Sequence, residues 1–328
     1  MASPKRFTLY WSNLSLYENC HQQFLWSRGW GAIDVGGGPG RPKPRPIQKS
    51  EHHPLMGTVI QAVLERFYND ELWRLLPPAQ LKDRLLEMAE ENFKIELARR
   101  FVDWRLAPPM DEVKQTIRDG ILGYLRTLKA HMLLGPYARA EVELLGYVDK
   151  ATPVGGRADV IVRREDTGVT IIDGKNSKRN KEGKTHTDPD QLRWYALLFY
   201  RCHQQLPDRL AFVYYRYPYG QPVLNEEGMP TGETETGVSW VPCTMDDIKG
   251  LAQRAVDARR GMDKEQFDPS PHWKTCQFCD FETVCPARLA QKDSNRRGPR
   301  TGASNKVDLK LLDNDVFSFG GVVPSKNE

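Results

Sequence analysis

No apolar run in these 328 residues approaches the ~18 that a membrane-crossing helix needs, which excludes a transmembrane protein. Cysteine is sparse: six residues spread along the chain make no dense disulfide framework. The opening MASPKRFTLYWSNLS has no apolar core followed by a small-residue cleavage site, so no secretory leader is expected. These features point to a cytoplasmic, reducing setting, in which cysteines are read first as metal ligands. Neither charge sign dominates, with 47 Lys and Arg against 43 Asp and Glu and a net charge of +4. What is present is aromatic weight: 8 Trp, 12 Tyr and 12 Phe are too many for a chain that stays unfolded. The length suits one large domain or two small ones.

The positive charge is local. Residues 175 to 184 (KNSKRNKEGK) carry five positive groups and one negative, and residues 287 to 328 carry eight against five. Either patch is a solvated loop or a phosphate-binding surface.

Five segments are expected. Residues 1–53 hold a short helix near 12 to 30, capped by Ser12 or Ser15, and then the linker VGGGPGRPKPRP from Val35 to Pro46. Residues 54–135 are helical: Val59, Ala62, Val63 and Phe67 recur at helical spacing, as do Leu81, Leu85 and Met88, with Phe93 five residues further on. Pro77-Pro78 and Pro108-Pro109 divide this region into three helices. Residues 136–268 turn to strands at 141–148, 154–163 and 169–173, with a hairpin turn at Glu165 to Gly168. A helix over 188–204, strands at 210–217 and 238–242, and a helix from Thr244 to about Met262 complete that segment. Residues 269–287 are compact and rich in cysteine, and 288–328 read as a disordered tail.

Chemistry concentrates in GGRADVIV, eight residues, then IIDGKNSK. Asp173 and Lys175 are two apart on a strand, so they project from one face, and Asp159 can meet them across the hairpin. Two carboxylates brought together repel unless a cation joins them, and oxygen ligands favour Mg²⁺ or Mn²⁺. A lysine beside such an ion orients water or offsets charge on a phosphate, which is the outline of metal-assisted phosphodiester hydrolysis.

The order Gly156-x-x-Asp159, Asp173-x-Lys175, Gln191-x-x-x-Tyr195 resembles the RecB-type branch of the PD-(D/E)XK nuclease superfamily. The resemblance implies an α/β fold with a central mixed sheet flanked by helices. It implies that Asp159 and Asp173 bind the metal with the main-chain carbonyl of Gly174, and that Lys175 assists the attacking water. Gln191 and Tyr195, one helical turn apart, would line the DNA path, Trp194 and Tyr195 would stack on unpaired bases, and Lys178 and Arg179 would contact phosphate. The family carries a Gly-x-x-x-His pattern on an upstream helix. Here Gly57 matches but Gln61 holds the histidine position, a weaker neutral ligand, with Glu65 one turn further on. Glu141 and Glu143 read as edge residues of the first strand.

Cys276-x2-Cys279-x5-Cys285-Pro286 together with Cys20 is similar to the iron–sulfur subset of that family, seen in AddB-type helicase-nucleases and CRISPR-adaptation nucleases. The resemblance implies a [4Fe–4S] cluster clasping the N- and C-terminal segments, and four thiolates suit tetrahedral Zn²⁺ as well. Cys202 and Cys243 are left over and read as buried thiols.

The expected activity is a Mg²⁺- or Mn²⁺-dependent deoxyribonuclease. It would act as an exonuclease on single-stranded DNA or DNA ends, leave 5′-phosphates, and serve recombination, repair or phage DNA processing. The alternatives are a DNA-binding scaffold that has lost turnover, favoured by Gln61, and a structure-specific endonuclease. The tail segment DLKLLDNDVFSFGG, from Asp308 to Gly321, is a candidate docking motif for a protein partner; no membrane partner is expected.

Overall fold

The protein is described here from a computed structural model covering residues 7–28, 51–176, 188–215, 222–224, 229–234, 237–272, 276 and 279–295. The chain divides into two compact units. One is made of Met1–Gln48, Leu145–Gly155 and Lys249–Glu328, the other of Lys49–Leu144 and Gly156–Ile248.

The second unit begins with four helices: α3 (His52–Asn69), the single turn α4 (Leu72–Leu75), α5 (Pro78–Arg99) and α6 (Met110–Ala130). The prolines set the breaks as expected: Pro78 opens α5, and Pro109 is the residue before α6. Acidic Asp111 and Glu112 in the first turn of α6 and Lys129 in its last complement the helix dipole. The helix buries Val113, Ile117, Ile121, Tyr124 and Leu128, a stripe at steps of three and four. Glu71 has a left-handed backbone (φ 50°) and starts α4, an element the periodicity did not show.

Helices α3, α5 and α6 cover one face of a sheet built from β2 (Tyr137–Tyr147), β3 (Pro153–Arg164), β4 (Gly168–Lys175), β5 (Arg209–Tyr214) and β8 (Val238–Val241). The strands β3, β4, β5 and β8 lie side by side in that order, and β2 also pairs with β3. Pairing is antiparallel for β3–β4, parallel for β4–β5 and antiparallel for β5–β8, a mixed sheet. Ile172, Ala211, Val213 and Tyr215 face the helical core. Helix α7 (Pro189–His203) packs on β4 and β5 and buries Leu192, Trp194, Leu197 and Leu198. Asp188 caps α7 by accepting the Asp190 N–H at 3.0 Å, with Pro189 in the first position. A small antiparallel ribbon is formed by β6 (Pro222–Leu224) and β7 (Pro230–Thr234), between β5 and β8 in the chain.

In the first unit, β1 (Leu9–Tyr10) runs parallel to the start of β3, Leu9 beside Val154. The expected helix over 12 to 30 is two helices, α1 (Trp11–Asn19) and α2 (His21–Arg28), because Cys20 between them is extended at φ −164°. Neither Ser12 nor Ser15 caps α1; the capping position is Tyr10, without a side-chain hydrogen bond. Tyr17 donates to the Gln266 carbonyl at 3.0 Å, Arg254 pairs with Glu18 at 2.7 Å, and Phe24 stacks on Phe267. Helix α8 (Met245–Asp263) opens on a reciprocal cap. The Thr244 N–H donates to Asp247 Oδ2 at 2.7 Å, and the Asp247 N–H donates back to Thr244 Oγ1 at 3.2 Å.

Helix α9 (Pro286–Asn295) corrects the expectation of a disordered tail from 288 onward; the first residues of that segment are helical, after a proline suited to a helix start. The Val35 to Pro46 linker, Lys178, Arg179 and the 308–321 motif lie outside the described residues. Among the described residues no helix is long and apolar enough to cross a membrane.

Candidate active site

Strand β4 delivers Asp173, Gly174 and Lys175 at its end, the apolar run Val169 to Ile172 being buried beneath them. Pairing of Val160 with Ile172 places Asp159 opposite Asp173. Asp173 is 2% exposed. Lys175 Nζ lies 2.5 Å from Asp173 Oδ2, as expected for residues two apart on a strand. Gln191 on α7 ties the two together: its Oε1 accepts from Lys175 Nζ at 2.9 Å, and its Nε2 donates to Asp173 Oδ1 at 3.1 Å. The Gly174 N–H donates to Asp159 Oδ2 at 2.9 Å. Lys175 Nζ also sits over the Phe212 ring at 5.4 Å.

Burial raises the pKa of Asp159 first, and the neighbouring Asp173 raises it further. Asp173 is raised by burial too, with Lys175 pulling against that. Lys175 Nζ meets Asp173 Oδ2 as its charged partner, and no other described residue bonds to that buried oxygen. Two desolvated carboxylates facing one ammonium leave an excess of negative charge, which suits a hard divalent cation. Among the described residues no three His, Cys, Asp or Glu side chains converge as they would on a metal. Asp159 and Asp173 could offer such a cation their side-chain oxygens.

Gln61 does not turn to the aspartates. Its Nε2 donates to Glu141 Oε1 at 2.5 Å, although Gln61, Glu141, Asp159 and Gly174 line one pocket. Glu141 is thus no plain edge residue. It has a left-handed backbone (φ 55°) within β2 and its carboxylate reaches the pocket. Alternation along β2 gave no sign of this; only a strained turn of the backbone brings it in.

Trp194 is fully buried and offers no surface on which a base can stack. Tyr195 is 9% exposed, and burial, then Asp173 and Asp159, raises its hydroxyl well above the usual range. Its ring packs on Gly156, where a Cβ would meet Tyr195 and Leu198, so that glycine admits α7 to the sheet. The Tyr195 ring is accordingly a packing element behind the carboxylates rather than a stacking platform.

Gly174 has a specific steric reason. A Cβ there would run into the hydroxyl and ring of Tyr215, which is buried and stands edge-on to Tyr124 at 5.4 Å. Neither ring has room to retreat. Gly174→Ala is expected to destabilise the fold by about 1–3 kcal/mol and to depress cleavage with it. Urea denaturation checks this; a midpoint equal to wild type would refute the clash.

In the first unit, Cys20, Cys276, Cys279 and Cys285 line one pocket beside Trp26. All four are free thiols. Burial pushes the Cys279 thiol up, and Cys20, Cys276 and Cys285 add to that. Cys285 Sγ lies 3.6 Å from Gln22 Oε1. The segments are brought together, but the thiols do not converge as metal ligands among the described residues. Cys202 and Cys243 are half-exposed rather than buried.

Asp159, Asp173 and Lys175 meet on a mixed sheet, with Asp173 buried, an arrangement that could serve metal-assisted phosphodiester hydrolysis. The profile described as the PD-(D/E)XK nuclease superfamily matches residues 10–286, and the chain belongs to that superfamily. No curated protein matches the chain. Among solved structures, the crystal structure of SSO0001 is similar at 18% identity over 72% of this chain and 95% of its own, with a TM-score of 0.33.

Proposed function

We propose that the protein is a Mg²⁺- or Mn²⁺-dependent deoxyribonuclease of the RecB-type branch, an exonuclease on single-stranded DNA or DNA ends that leaves 5′-phosphates. The observation that carries this reading is the double hydrogen bond of Gln191 to Lys175 Nζ and Asp173 Oδ1, which fixes an amine against a carboxylate at the end of β4. Asp159 and Asp173 would hold the cation, with the Gly174 carbonyl beside them. When bound, such an ion lowers the pKa of a water and offsets phosphate charge. Lys175, held by Gln191, orients that water and meets the negative charge that develops on the phosphate. The buried floor of Phe212 and the α7 side chains keeps bulk water from screening these charges.

Four thiols in one pocket support a second proposal, a structural [4Fe–4S] cluster in the first unit, with zinc as the alternative occupant. Work in recombination, repair or phage DNA processing, with DNA as the partner, suits the chemistry. The Gln61–Glu141 hydrogen bond favours one competing reading, a scaffold that binds DNA without turnover, because it takes the helix α3 side chain away from the acids.

The test is cleavage of end-labelled linear single-stranded and double-stranded DNA and of circular single-stranded DNA under Mg²⁺ and Mn²⁺. The expected result is degradation of linear strands to 5′-phosphorylated products with circles left intact. Cleaved circles would make it an endonuclease. Binding without cleavage under every divalent cation would make it the scaffold.

A further inference from the structure

Arg157 stands two residues before Asp159 on β3, so both side chains leave the same face of the strand, about 7 Å apart along it. Its side chain is 65% exposed, and one guanidinium nitrogen, Nη1, lies 3.3 Å from Glu141 Oε2. Glu141 is 14% exposed and has its other oxygen, Oε1, on Gln61 Nε2 at 2.5 Å. Both carboxylate oxygens are therefore engaged, one by helix α3 and one by Arg157. The left-handed backbone at Glu141 puts the carboxylate there at a conformational cost. An exposed ion pair contributes little to stability, so the fold alone gives no reason to hold Arg157 this way.

We propose that Arg157 binds the phosphate next to the scissile one on a DNA strand, and that Glu141, anchored by Gln61, tethers the guanidinium at that position. This rests on the nuclease reading and adds a substrate contact to it. The spacing along β3 is on the scale of one nucleotide step. Glu141 takes one edge of the guanidinium, and the planar fork keeps donors for a phosphate oxygen pair. Glu141 in this role is a positioning residue, and Gln61 serves the tether rather than the cation.

The test is binding of a fluorescein-labelled single strand to the full chain by anisotropy, with EDTA present so that no strand is cut, over a series of salt concentrations. Arg157→Gln is expected to weaken binding about tenfold and to reduce the slope of log affinity against log salt by about 0.7, the loss of one phosphate contact. Arg157→Lys is expected to recover the slope but only part of the affinity. Glu141→Gln is expected to keep the slope and to leave Mn²⁺ affinity by calorimetry unchanged. An unchanged slope in Arg157→Gln, with wild-type DNA binding intact, overturns this inference alone. A tenfold loss of Mn²⁺ affinity in Glu141→Gln overturns the tether and makes Glu141 a metal ligand. A wild-type chain that neither binds nor cuts DNA overturns the nuclease reading along with it.

Discussion

Replacing Lys175 with Ala is expected to lower DNA cleavage by at least about 10³-fold, the scale of removing a preorganised charge from a transition state. The ammonium is fixed in place: Gln191 Oε1 accepts from it and Asp173 pairs with it, so its position is set before substrate arrives. DNA affinity is expected to stay within a few-fold of wild type, because Lys175 is mostly covered and acts on the reacting phosphate rather than along the strand. Asp159→Asn is expected to abolish cleavage equally, and it carries a second, opposite readout. Burial and Asp173 raise the Asp159 pKa in the folded protein, so its share of stability is full below the ordinary aspartate pKa and is lost as pH rises through the raised one. At neutral pH the folded metal-free protein must therefore hold on Asp159 a proton that the unfolded chain releases, which costs stability, and an uncharged Asn escapes that cost. A melting temperature roughly 2–4 °C higher than wild type in EDTA is expected. Cleavage that survives either substitution would remove the site assignment; an Asp159→Asn protein that melts lower would remove the electrostatic argument.

Cys279→Ser is expected to strip iron from anaerobically purified protein and to lower its melting temperature by on the order of 10 °C, since metal held by thiolates in small sites supplies a large part of the folding free energy. The reasoning starts from the pocket. Cys20 comes from the break between α1 and α2, Cys276, Cys279 and Cys285 come from a segment over 250 residues later, and all four line it. A cluster closing so long a loop would constrain the unfolded chain strongly. Cys20→Ser is expected to behave alike, whereas Cys243→Ser, on the other unit, is expected to keep metal and stability. Iron and zinc analysis decides the occupant: stoichiometric zinc without iron would replace the iron–sulfur proposal with a zinc site, and neither metal would end both.

The parts of the structure that obey simple periods were legible in advance. Steps of three and four residues located α3 and α5, and paired prolines marked the starts of α5 and α6 within a residue or two. The two-residue period of a strand put Lys175 beside Asp173 and the hairpin put Asp159 across from them. What stayed hidden depends on contacts between distant residues or on local backbone exceptions. Spacing alone made Gln191 an ordinary residue of a helix surface; its double hydrogen bond follows from where α7 docks. Glu141 enters the pocket through a positive φ that no side-chain pattern encodes. The need for glycine at 174 comes from Tyr215, forty-one residues on, and the break at Cys20 from an extended backbone inside an otherwise helical run.

The discontinuity of the first unit sets an order of events during synthesis. Its opening stretch, Met1–Gln48, finds its partners in Arg254, Arg259, Gln266 and Phe267. Domains generally fold as their residues leave the ribosome. The unit carrying Asp159, Asp173 and Lys175 is fully translated at Ile248, while the opening stretch must still wait for its mates. The order of synthesis would let Asp159, Asp173 and Lys175 meet before Cys276, Cys279 and Cys285 are made, and a premature stop after residue 248 would leave the cysteine pocket without three of its four thiols.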